Sequence, residues 1–193
     1  MRLVFASNNE HKLSEVRSIM PAHVEVLSLH EIGFESDIDE TGTTLEANSA
    51  IKAETVHNWL MTNGKSLHVD GIFADDTGLE IDALNGAPGV YTARWAGEPA
   101  ANRRKALQEL DGKSNRKAQF RTVITLIRGK EQVQVEGIVR GTMATEERGE
   151  RGFGYDSLFI PEGYEKTFAE LPAEVKNSIS HRARALAELV KII

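Results

Sequence analysis

The chain has 193 residues, 40% of them hydrophobic and 27% charged, which is enough for a single domain over 1–193 that buries roughly 70% of its unfolded surface. Lys plus Arg number 23 and Asp plus Glu 29, and the net charge of −6 speaks against wrapping nucleic acid while leaving room for a small anion held by local cations. The absence of cysteine excludes disulfides, thiolate metal sites and cysteine nucleophiles, and fits a reducing compartment.

Leu3 to Ala6 is a short apolar run that predicts a buried strand and stops at Ser7-Asn8-Asn9. It is too short for a signal sequence, and no apolar stretch approaches the ~20 residues of a membrane span, so a cytoplasmic location and no membrane partner are expected. Asn9 is placed to cap a helix with Leu13, Val16, Ile19 and Met20 on one face, ended by Pro21. Val24 to Leu27 predicts a second strand, and residues 31–42 are acidic and irregular. Thr43-Thr44-Leu45-Glu46 has the spacing of a capping box, opening a helix to about Met61 that stops near Asn63-Gly64. Gly71 to Ala74 predicts a strand that ends in a turn at Asp75-Asp76-Thr77-Gly78. Leu79 to Leu84 then extends toward a turn at Gly86-Ala87-Pro88-Gly89. Residues 100–110 have helical character. Phe120 to Ile127, the turn Arg128-Gly129-Lys130, and alternating Val133, Val135 and Val139 predict a hairpin with one wet face. Asp156 to Ile160 predicts another strand, and Ser180 caps a last helix with Leu186, Leu189, Val190 and Ile193 in one stripe. Interleaved helices and strands with a late hairpin argue α/β with a mixed sheet.

Five segments carry chemistry. Ser7-Asn8-Asn9-Glu10-His11-Lys12 joins a strand end to a helix start, where free amides, small polar side chains and a lysine suit a phosphate. An ordinary capped helix with a surface lysine has the same composition. Asp75-Asp76 suits a cation of the Mg²⁺ kind, and the loop Asp37-Ile38-Asp39-Glu40 has a further ligand to offer; a solvated turn is the bland alternative. Two carboxylates in series are not expected both to face a core. Asn48 and Lys52 are four apart and share a helix face, so Lys52 can reach a phosphate chain or simply sit in water. Gly152-Phe153-Gly154-Tyr155-Asp156 offers close approach, rings to stack on a base, and a carboxylate to read its edge. His181 and Arg182 lie at a helix N-terminus, where cations oppose the macrodipole, and call for an anionic ligand or a neighbouring carboxylate.

Taken in order, SNNEHK, ETGTTLEANSAIKA, FADDTGLEIDALNGAPGVYTARWAG, GFGYD and KNSISHRA run the length of the chain. The set resembles the inosine triphosphatase (Ham1/RdgB-like) family of pyrophosphatases that act on aberrant purine nucleoside triphosphates. The resemblance implies an elongated mixed β-sheet with flanking helices forming two lobes around a central cleft. It implies a homodimer, a Mg²⁺ cofactor, and cleavage of ITP, dITP or XTP between the α and β phosphates, cleansing the nucleotide pool. By motif, Ser7, Asn8, Asn9 and Lys12 belong to the phosphate loop, and Lys52 helps hold the triphosphate. Glu40 and Asp76 are the metal-side carboxylates, with Asp76 the general base. Thr77 contacts substrate, and Phe153, Gly154, Tyr155, Asp156, Lys176, His181 and Arg182 form the base pocket.

Three departures stand out. Ser157 follows GFGYD where the family usually has proline, and Arg151 stands where it often has glycine. Leu45 and the order Glu46-Ala47-Asn48 differ from the frequent Phe-x-Glu-Asn form, so Glu46 carries no assigned role. Clustered lysines are expected to hold the Asp76 pKa low, leaving it to orient a water. Donors such as Lys176, Arg182 and loop amides fit a 6-keto base and would be left unpaired by adenine, at roughly 1–3 kcal/mol for each lost bond. Two other readings share these residues: a house-cleaning pyrophosphatase with a Maf-like range of modified nucleotides, and a nucleotide-binding module without turnover.

Overall fold

The computed structural model describes residues 1–63 and 67–193, so the helix stop expected at Gly64 lies outside the described residues. In chain order the elements are β1 (Arg2–Phe5), α1 (Glu10–Ile19), β2 (Glu25–Leu27), α2 (Leu45–Asn63), β3 (Gly71–Ile81), β4 (Pro88–Gly89), α3 (Pro99–Glu109), β5 (Lys117–Arg128), β6 (Glu131–Met143), β7 (Phe159–Pro161), α4 (Ala173–Ile179) and α5 (His181–Val190). The fold is mixed α/β: strands run in the order β2-β1-β3-β5-β6-β7, with β4 paired to β3. The β1 pairings with β2 and β3 are parallel, in register at Leu3↔Val26 and Val4↔Ile72. The β3–β4 and β6–β7 pairings are antiparallel.

The chain divides into two compact units. The first comprises Met1–Asp76, Thr122–Gly137 and Arg182–Ile193; the second comprises Thr77–Arg121 and Ile138–His181.

In the first unit, strand alternation sorts the side chains into two cores. Leu3, Phe5, Phe73, Ile124 and Leu126 face Leu13 and Val16 of α1 and Leu186 and Leu189 of α5. The other face of the same strands carries Val4, Ala6, Ile72, Ala74 and Ile127 against Ala53 and Val56 of α2. Asn9 caps α1 by accepting from the Lys12 N–H at 3.0 Å, as its position predicts. The α2 start differs by one residue from expectation. Thr44 caps it by accepting from the Ala47 N–H at 3.1 Å, so Glu46 is not in the reciprocal position of a capping box.

The second unit packs Leu79, Ile81, Phe120, Val139, Leu158, Phe159 and Phe168 into its own core. Two expected boundaries move. Asp156 lies in a turn, and the following strand is only Phe159–Pro161. Helix α4, which contains Lys176, was not foreseen, because seven residues with scant apolar periodicity give little signal.

The largest revision concerns β3. Asp75-Asp76-Thr77-Gly78 is not a turn at a strand end but the middle of an eleven-residue strand, which continues to Ile81 before a single 3-10 turn at Asp82–Leu84. Turn-forming residue types misled here because tertiary partners, not local propensity, decide whether aspartates stay in a sheet.

Candidate active site

Consecutive residues of a strand point to opposite faces. Asp75 therefore faces the α1/α5 side and Asp76 the α2 side, and both are buried, at 1% and 7% exposure. The expectation that two adjacent carboxylates cannot both turn inward fails because each face supplies its own cations.

On the α1/α5 face, Asp75 accepts from Lys12 Nζ at 2.8 Å and from Arg182 Nε at 3.0 Å. Arg182 is itself fully buried and also donates to Glu15 of α1. The two cations expected to need an acceptor at the start of α5 are thus answered, for Arg182, by carboxylates of the protein. Burial alone would raise the Asp75 carboxyl. The charges of Lys12, Arg182 and Lys52 outweigh it and hold the group well below the usual range. Lys12 is shifted down, by burial first and by the repulsion of Lys52 and Arg182.

On the α2 face, Lys52 Nζ lies 3.0 Å from Glu40 Oε1 and 3.1 Å from Asp76 Oδ1. Burial works against the Lys52 charge, but Asp76, Asp75 and Glu40 together raise its pKa. Asp76 behaves contrary to expectation. Burial pushes its carboxyl up, Glu40 adds to the rise, and Lys52 and Lys12 do not cancel it. Counting lysines in a sequence misses this, since desolvation depends on the depth of the strand.

Asn48 fixes the loop that carries Glu40: its Oδ1 accepts from the Gly42 N–H at 2.8 Å. A Cβ on Gly42 would sit 2.6 Å from that same Oδ1, so glycine is required there. Asp76 Oδ2 and Asn48 Nδ2 are buried and lack a hydrogen-bond partner among the described residues. An orphaned carboxylate oxygen beside Glu40 is what a hard cation with phosphate and water ligands would satisfy. No group of three or more metal-binding side chains occurs among the described residues; Glu40 and Asp76 are carboxylates that share the Lys52 ammonium.

Ser7 to Asn9 form the loop before α1. Ser7 Oγ accepts from the Asn9 N–H at 3.2 Å, and Asn8 and Asn9 are exposed. Lys12 follows one turn on, and Ser7, Asn8, Asn9, Lys12, Glu40, Lys52 and Asp76 all belong to the first unit, with Lys12 on Asp75 at one face of β3 and Lys52 joining Glu40 to Asp76 at the other.

The second unit assembles the other group. Asp156 Oδ2 accepts from Lys176 Nζ at 2.5 Å and from the Phe153 N–H at 2.9 Å. The ammonium group of Lys176 sits 5.0 Å from the centre of the Phe153 ring. His181 is buried and stacks on Phe120 with ring centres 4.6 Å apart. Gly152 has φ +74°, and a Cβ there would lie 2.0 Å from Asp156 Oδ2. Tyr155 departs from the stacking role expected of it: its ring is in the core, its hydroxyl donates to the Thr92 carbonyl at 2.9 Å, and burial raises its pKa. Its contribution to the loop is backbone alone. Thr77 follows Asp76 on β3 as a half-buried residue of this unit.

Asn48 and Glu15 were not assigned roles from sequence, and Asp75, read there with Asp76 as suited to a cation such as Mg²⁺, instead accepts from Lys12 and Arg182. The signal for Asp75 and Glu15 was present in the awkward cations at the start of α5, which demand buried acceptors. For Asn48 the signal was its shared helix face with Lys52.

The Ham1 family model matches residues 3–192. The chain is 50% identical to the dITP/XTP pyrophosphatase of Porphyromonas gingivalis over 192 residues, covering 97% of this chain and 95% of that protein. It is 46% identical to the dITP/XTP pyrophosphatase of Flavobacterium johnsoniae over 197 residues, covering 100% and 98%. Among solved structures it is similar to the Ham1 protein of Staphylococcus aureus, with a TM-score of 0.85 and 38% identity over 100% of this chain and 97% of that one. Matched from end to end in both sequence and fold, the chain belongs to the Ham1 family.

Proposed function

We propose that the protein hydrolyses non-canonical purine nucleoside triphosphates (ITP, dITP and XTP) to the monophosphate and pyrophosphate. The single observation that carries this is the buried Asp76 carboxylate with one oxygen on Lys52 and the other without a partner among the described residues, next to Glu40, within a family whose relatives are named dITP/XTP pyrophosphatases. An orphaned, desolvated carboxylate with a raised pKa suits a group that takes a proton.

Asp76 accepts a proton from a water that attacks the α-phosphorus. The new P–O bond forms as the bond from the α-phosphorus to the bridging oxygen breaks, and the leaving pyrophosphate takes that electron pair. Lys12, Lys52 and the amides at the start of α1 offset the charge that builds on the phosphates. Asp75 holds Lys12 in place without contacting substrate. Glu40 and Asp76 would hold Mg²⁺, which when bound polarises phosphate oxygens and lowers the pKa of coordinated water.

The donors of the second unit, Lys176 and the amides around Gly154, suit the keto acceptors of hypoxanthine and xanthine, and Phe153 offers a ring. Homodimer formation, a cytoplasmic setting and the absence of a nucleic-acid partner complete the reading, on the strength of the resemblance and the net charge of −6. Among the described residues no helix is long and apolar enough to cross a membrane.

A nucleotide panel with product identification, with and without Mg²⁺, tests the proposal. Pyrophosphate released from ITP and XTP well ahead of ATP supports it. A ranking led by modified pyrimidines would favour the Maf-like range, and tight nucleotide binding without turnover would favour a binding module.

A further inference from the structure

Three polar side chains outside the motifs converge on the loop Gly152–Asp156, and all lie in the second unit. Arg103 of α3 donates from Nη1 to the Gly154 carbonyl at 3.2 Å and from Nε to Glu147 Oε2 at 2.8 Å. The same Glu147 oxygen accepts from Ser157 Oγ at 3.1 Å. Ser157 is the residue that stands where the resemblance leads one to expect proline. We propose that Arg103, oriented by Glu147 and Ser157, is a positioning residue that sets the purine selectivity of this loop.

Gly154 has φ +62° with open space where a Cβ would be, so its own packing does not fix the peptide that follows it. Arg103 does. A trans peptide carries its C=O and N–H in opposite directions. Drawing the Gly154 carbonyl toward the guanidinium therefore turns the Tyr155 N–H the other way and fixes where it points. The Tyr155 side chain is tied to Thr92 and Asp156 to Lys176, so both residues after Gly154 are already anchored. A bond from the Asp156 N–H to the Phe153 carbonyl at 3.2 Å closes a turn around the Gly154 peptide, and Arg103 holds the carbonyl of that peptide to one side.

The guanidinium is suited to this because its planar fork serves two acceptors at once. An ammonium at the same place is a point charge with no fixed second donor. Glu147 is partly exposed, with 40% of its side chain open to solvent. The ion pair by itself therefore adds little stability. Its effect is to aim Arg103, and that effect is read in substrate choice rather than in melting temperature.

This inference rests on the proposed nucleotide reading and names residues that shape the same site. The test measures kcat and KM of the purified protein for ITP, XTP, GTP and ATP, in wild type and in Arg103→Lys, Glu147→Gln and Ser157→Ala, with thermal melting in parallel. The wild-type panel alone tests the reading. If another nucleotide leads it, that nucleotide replaces ITP in the comparison and the test of Arg103 stands. Expected for Arg103→Lys is a KM for the preferred substrate about 3- to 10-fold higher, with kcat within about twofold, the size of effect that one lost hydrogen bond gives. The preference over ATP narrows by the same factor, and Glu147→Gln and Ser157→Ala shift it in the same direction by less. Unchanged KM and selectivity in Arg103→Lys would overturn the proposal. So would an equal loss of kcat on every nucleotide. If Arg103→Lys does not fold, Ser157→Ala decides in its place: a narrowed preference supports the proposal and an unchanged one overturns it.

Discussion

Asp75 and Asp76 are neighbours on one strand, yet they titrate in opposite directions. Asp75, gripped by Lys12 and Arg182, is held well below the usual carboxylate range; Asp76, facing Lys52, is raised from its ordinary value by burial. One peptide bond separates a carboxylate stabilised as an anion by its neighbours from one whose ionisation burial opposes.

The first consequence concerns stability. A folded-state pKa below the unfolded one contributes stability that is present above the unfolded value and lost as pH falls through the folded value. Asp75 thus stabilises the fold at neutral pH and ceases to only in strong acid. Asp75→Asn leaves Lys12 and Arg182 with less compensation for their burial, and a loss of about 3 kcal/mol is expected, as for breaking a buried ion pair. Denaturant unfolding at pH 7 measures it, and a loss below about 1 kcal/mol, the worth of an exposed pair, would refute it.

Asp76 runs the other way. Its raised folded pKa means that the native state holds its proton more tightly than the unfolded chain does. Stability therefore falls as pH rises from the unfolded pKa through the folded one, and the ionised group is a burden at neutral pH. Asp76→Asn is expected to melt at or above the wild-type temperature while losing turnover on the order of 10²–10⁴-fold. Paired melting curves and ITP assays check both halves; a less stable variant would show that the wild-type carboxylate is structural.

These two residues also mark what the sequence made legible. Leu3–Ala6, the Asn9 cap, the late hairpin and the stripe on α5 follow from period and capping chemistry and are present, the first strand within one residue of expectation and the hairpin strands longer than expected by three or four residues at their outer ends. Asp75-Asp76 did not read as strand, because aspartate enters a sheet interior only where distant cations meet it. Those cations come from α1, α2 and α5, up to 107 residues away in sequence. The members of the candidate site were visible as residue types in ordered motifs. Their division between two faces of β3, and the sign of the Asp76 shift, depend on burial and were not visible.

Lys52 lowers the Asp76 pKa against the pull of burial, so its removal lets that pKa rise further. Lys52→Met is expected to move the acid limb of the kcat/KM profile to higher pH, in addition to lowering the rate. An acid limb that stays in place would mean that another group titrates there.

The two glycines of the base loop differ. Gly152 and Gly154 both have positive φ, which costs an L-residue roughly 1–2 kcal/mol. Only at Gly152 does a Cβ also overlap Asp156, at 2.0 Å, whereas at Gly154 it meets nothing within 4 Å. Gly152→Ala is expected to raise KM and lower the melting temperature far more than Gly154→Ala. Equal effects would show that backbone conformation alone governs the loop.

The most direct measurement is hydrolysis of ITP in heavy-oxygen water, with wild type and Asp76→Asn side by side and mass analysis of both products. Attack at the α-phosphorus, aimed by Asp76, places the label in inosine monophosphate, leaves pyrophosphate unlabelled, and all but disappears in the variant. Label in pyrophosphate, or undiminished turnover by Asp76→Asn, would contradict the account.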